Sequence, residues 1–118
     1  MSKLLAWGRM AVPAGAETDF RAAKRIEQYR LGGQALYLPQ GLRWQVLPLK
    51  EIRGAEPSRR VITAGHCVTV REEKPALDLH LGEESLTLNF ERAESRDQVL
   101  AALKAYLEGG KHESAGSD

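Results

Sequence analysis

The stretch that decides the fold is Leu77-Asp78-Leu79-His80-Leu81-Gly82-Glu83-Glu84-Ser85-Leu86-Thr87-Leu88-Asn89-Phe90. Leu77, Leu79 and Leu81 alternate with Asp78 and His80. Beyond Gly82-Glu83-Glu84, Leu86, Leu88 and Phe90 alternate with Ser85, Thr87 and Asn89. Successive side chains of a strand point to opposite faces, so two period-two runs around a short glycine-containing turn read as a β-hairpin with one buried face.

That face needs a cover, and the next residues supply one. Val99, Leu100, Leu103, Tyr106 and Leu107 fall on a single stripe of a helix expected over residues 95–108. Ser95 and Gln98 have the spacing of a capping box, and Asp97 sits where the positive helix end favours an anion. Gly109 is the expected stop.

Upstream of the hairpin the signals are also mostly of period two. Residues 34–38 read as a strand with Leu36 and Leu38 inward, and Pro39-Gln40-Gly41 as a turn. Residues 42–47 read as a strand placing Leu42, Trp44 and Val46 on one face. Residues 25–31 fit either a strand or the end of a helix that starts near Thr18 or Asp19. Gly32-Gly33 then serves as a helix stop or as a two-residue turn. Pro48 suggests a strand end or bulge, and Gly54 and Pro57 weaken any strand over 53–60. Val61, Ile62, Val68 and Val70 suggest one strand bent at Gly65. Residues 1–18 are expected to be a flexible or loosely docked arm, 19–108 one domain, and 109–118 a disordered tail.

Short antiparallel strands followed by one C-terminal amphipathic helix resemble the small bacterial pleckstrin-homology-like (PH/GRAM-like) domains. The likeness rests on Ala35-Leu36-Tyr37-Leu38, Val46-Leu47-Pro48-Leu49-Lys50-Glu51-Ile52, Leu86-Thr87-Leu88-Asn89-Phe90 and the helix. Within it, Pro48-Leu49-Lys50-Glu51-Ile52 looks like the I-P-L-x-x-I segment of bacterial members. The resemblance implies an α+β, mainly β fold: an antiparallel partial barrel of two sheets closed by the helix. Lipid-binding members carry basic residues in the loop joining their first two strands. Here that loop is Gly32-Gly33, which has none.

Composition narrows the function. The chain has 118 residues, 42% hydrophobic and 28% charged, with a formal charge of +1. That is the balance of an ordinary globular domain. Residues 1–60 carry a net +6 and residues 61–118 a net −5. The single cysteine, Cys67, excludes a disulfide framework and multi-cysteine metal motifs, and fits a cytoplasmic location. The apolar run Leu4-Leu5-Ala6-Trp7 is cut by Gly8-Arg9 and is too short for a signal peptide. No phosphate-binding glycine motif, nucleophile elbow or metal-ligand spacing occurs. His66 and Cys67 are neighbours, and on a strand they point to opposite faces, which argues against a dyad. Basic residues are not interleaved with aromatics, so nucleic acid is not expected.

The expectation is therefore a binding or scaffolding module with no catalytic residues, metal or cofactor. It would act on a protein partner, or on a second copy, through a sheet edge or a groove beside the C-terminal helix. Trp7 and Trp44 are the candidate contact residues. The alternative is peripheral contact with an anionic lipid or ligand through Lys24, Arg25, Arg30, Arg59 and Arg60.

Overall fold

The computed structural model describes residues 4–64 and 70–116. Two compact units divide the chain, residues 1–52 and 53–118, so the single domain expected over 19–108 spans both. The architecture is mainly β, with two sheets and a C-terminal helix.

The first unit holds a five-stranded sheet. In chain order its elements are β1 (Leu4–Ala6), α1 (Ala16–Ala22), β2 (Lys24–Ile26), β3 (Tyr29–Leu31), β4 (Ala35–Gln40) and β5 (Arg43–Pro48), followed by a 3-10 turn at Leu49–Glu51. The spatial order is β1-β5-β4-β3-β2. Strands β2 to β5 form an antiparallel meander, whereas β1 runs parallel to β5, with Leu4 opposite Trp44. Leu4–Ala6 pair with β5 in this way, and the Trp7 amide extends the pairing by donating to the Val46 carbonyl at 3.2 Å.

Central position explains the composition of β4. Its residues Ala35, Leu36, Tyr37 and Leu38 are all buried, so side chains on both sides of the strand are kept from solvent and all of them are apolar or aromatic. Tyr37 and Val46 are directly opposite each other and share a core with Leu4, Ala16 and Ala35, against which Phe20, Ala23 and Trp44 pack. Ile26, Tyr29, Leu36, Leu38 and Leu47 are also buried, on the other face.

Local chemistry settles the ambiguous region. Residues 24–31 form a hairpin, because Glu27 takes a left-handed backbone (φ 54°) that closes a two-residue turn between Ile26 and Tyr29. The helix before it is the short α1. Leu42 corrects the expected inward face: it is 94% exposed. Gln40 pairs with Arg43, leaving Gly41-Leu42 as the hairpin turn, with Gly41 at φ 61°. The strand alternation therefore begins at Arg43, and Leu42 is not part of it.

The second unit holds β6 (Gly54–Ala64), β7 (Val70–Leu81) and β8 (Glu84–Asn89) in an antiparallel sheet of that order, with α2 (Ala93–Gly116) packed on β6 and β7. The decisive hairpin has the expected register: Leu77 faces Leu88 and Leu79 faces Leu86. Leu77, Leu79, Leu81, Leu88 and Phe90 are buried, and so are Val99 and Leu103 of the helix stripe. The turn is tighter than expected, because Leu81 pairs with Glu84 around Gly82 (φ 86°) and Glu83. Strand β6 runs through Pro57 without a break, which an outer strand permits because one side of its backbone needs no ladder partner.

Three further expectations are corrected. Helix α2 begins at Ala93, so Ser95 lies within its first turn and is not the cap. The Arg96 amide already donates to the Arg92 carbonyl at 3.3 Å. Gly109 does not end the helix, because its backbone stays helical where a stop needs a left-handed residue. The helix runs on to Gly116. Among the described residues no strand of one sheet pairs with a strand of the other, so the two sheets are not closed into the expected partial barrel.

Candidate contact face on the five-stranded sheet

The face of the first sheet that carries α1 gathers the most unusual side chains. Register sets their positions. Arg25 is opposite Arg30, Arg30 opposite Tyr37, and Tyr37 opposite Val46, so all four lie on one face. Trp44 joins them two residues before Val46. From α1, Phe20 reaches into this row. Its ring meets Tyr37 edge-on at 5.0 Å and Trp44 at 5.4 Å.

Arg30 lies over these rings. Its guanidinium carbon is 4.6 Å from the Phe20 centroid and 5.3 Å from that of Trp44. Both distances are within the range of cation–π attraction, worth about 0.5 to 2 kcal/mol. The Arg30 Nε is shielded from solvent and has no hydrogen-bond partner among the described residues. Nor does any described carboxylate form an ion pair with Arg30. Arg25 is exposed, and its Nε donates to the Glu27 carbonyl at 3.0 Å. Two arginines directly opposite each other repel. The rings hold Arg30 and the turn carbonyl holds Arg25, which offsets part of that cost.

Asp19 fixes α1 in place. The Gly33 amide donates to its Oδ1 at 2.8 Å and the Gln34 amide to its Oδ2 at 3.2 Å. The Tyr37 hydroxyl donates to Oδ2 at 2.7 Å, with the Ala16 carbonyl oxygen a longer second acceptor at 3.1 Å. A Cβ built on Gly32 would collide with the Asp19 carboxylate, so only glycine permits this approach. Burial holds the Tyr37 phenol well above its usual pKa, and the hydrogen bond to Asp19 and that residue's charge raise it further.

The sequence candidates separate between the two units. Lys24, Arg25 and Arg30 belong to the first, with Lys24 opposite Leu31 on the other face of the sheet. Arg59 and Arg60 belong to the second. Arg59 is held by Glu73 at 3.1 Å, and Arg60 is opposite Lys74. Trp7 and Trp44 are both half-buried, and Trp44 is the one that supports a charged group. The Asp19 contact was invisible in the sequence. Its partners lie 14 and more residues away, and only the Gly32-Gly33 doublet marks the loop that receives it.

His80 is exposed, with its Nε2 3.7 Å from Glu56 Oε2. His66 and Cys67 lie outside the described residues. Among the described residues no group of three His, Cys, Asp or Glu side chains is placed to hold a metal ion. No described helix is long and apolar enough to cross a membrane. No family model matches this chain, and neither a curated protein nor a solved structure matches it.

Proposed function

We propose that this chain is a non-enzymatic binding module that contacts a protein partner through the Arg30–Trp44 face of its first unit. One observation carries the reading. Arg30 is supported by two aromatic rings, yet no carboxylate among the described residues neutralises it. Tryptophan and arginine are the residue types most enriched where binding energy concentrates in protein interfaces. A guanidinium already fixed by stacking loses little freedom on meeting a carboxylate, so less of the contact energy is spent on ordering. The likeness to PH-like modules belongs to this reading as well. Antiparallel strands preceding a C-terminal helix support it, and the parallel β1 and the two separate sheets depart from it.

The test is capture from a lysate of the protein's native cells, with wild type, Arg30→Gln and Trp44→Ala as matched baits. The reading predicts a protein retained by wild type and lost with both variants. A set of captured proteins indifferent to both substitutions, or binding only to phosphatidylserine vesicles, would contradict it.

A further inference from the structure

A second feature lies in the loop between β3 and β4, and it does not depend on Arg30. Three donors converge on one carboxylate: the consecutive amides of Gly33 and Gln34 and the buried hydroxyl of Tyr37. One bonds Oδ1 and two bond Oδ2, so the set spans both oxygens of a planar group. Adjacent backbone amides aimed at one point make an anion-binding concavity. Gly32, with no Cβ, leaves the room that such an anion needs. The carboxylate present is not part of the loop. Asp19 brings it from α1, 14 residues before Gly33.

We propose that the β3–β4 loop and Tyr37 form a carboxylate-binding site that α1 fills as an internal ligand. A carboxylate from solution and α1 then compete for the same three donors. Tethering gives Asp19 an effective concentration in the millimolar range or above, so α1 holds the site against dilute carboxylates. Removing the Asp19 side chain leaves the donors in place and opens the site to a small planar carboxylate. A halide has no second oxygen to span the donors and is the natural control.

The experiment is thermal melting of the full chain carrying Asp19→Ala, in sodium formate and in sodium chloride of equal ionic strength. Formate should raise the melting temperature of the variant by roughly 4 °C or more beyond any shift seen in wild type, saturating with concentration. Adding Tyr37→Phe should shrink that gain, because one of the three donors is gone. Equal melting temperatures in the two salts, after the wild-type shift is subtracted, would overturn the proposal. If Asp19→Ala is unfolded in chloride, refolding in formate alone is the supporting result. If it is unfolded in both, Asp19→Ser takes its place, because its hydroxyl accepts from at most part of the donor set and is too short to fill the site. A formate-specific gain for Asp19→Ser supports the site, and its absence overturns it.

Discussion

Tyr37 is the residue on which the first unit turns. It is fully buried in the central strand, it donates to Asp19, and its ring meets Phe20. Its pKa is raised from 10.0 by burial first and by Asp19 second. A phenol whose pKa rises on folding stabilises the neutral protein. That contribution is complete below the unfolded value near 10 and is lost as pH rises from there towards the folded value. Thermal melts between pH 9 and about 12 should therefore fall more steeply for wild type than for Tyr37→Phe. Parallel slopes would show that the phenol is not linked to folding. Little of this was readable in advance. Tyr37 looked like one more member of an alternating strand, and Asp19 like one more helix-start residue. Hydrogen bonds between positions 14 to 18 residues apart leave no periodic trace in a sequence. The Gly32-Gly33 doublet was visible, but its purpose, clearing space for a carboxylate, depends on the tertiary fold.

Elements were legible where periodicity and burial agree. The β7–β8 hairpin and the stripe Val99–Leu103 follow from alternation and helical spacing, because each presents one face to one core. Element ends were less legible, because they depend on backbone dihedrals that several residue types satisfy. Leu42 continues the alternation of β5 on paper, yet the turn claims it once Gly41 adopts a positive φ. Ser95 has the capping-box spacing, but the helix starts two residues earlier. These assignments separate two substitutions on α2. Leu103→Ala should cost about 2 to 5 kcal/mol, because it empties a buried position. Ser95→Ala should stay within about 0.5 kcal/mol, since it removes no cap. Chemical denaturation of both variants reads the difference. A cost of about 1 kcal/mol or more for Ser95→Ala would restore the later helix start.

At the scale of the whole molecule, charge follows the division of the chain. Residues 1–52 carry eight basic and four acidic side chains, and residues 53–118 carry nine basic and twelve acidic. The sequence showed the asymmetry between halves but not where the division falls, because β6 is a polar strand with Gly54 and Pro57 in it. The same division separates Arg59 and Arg60 from the arginines that the sequence grouped with them. What remains in the first unit is a compact arrangement: Asp19 anchors α1, α1 places Phe20, and Phe20 with Trp44 supports Arg30. The proposed contact face and the proposed carboxylate site both depend on that anchor. Amide hydrogen exchange tests it most directly. Gly33 and Gln34 are exposed residues whose amides bond only to Asp19 among the described contacts. Both amides should exchange well below the rate of an unstructured chain in wild type, and at close to that rate in Asp19→Ala. Fast exchange of both amides in the wild-type protein would mean that Asp19 does not hold α1 there and that Phe20 is not placed beneath Arg30 by that anchor.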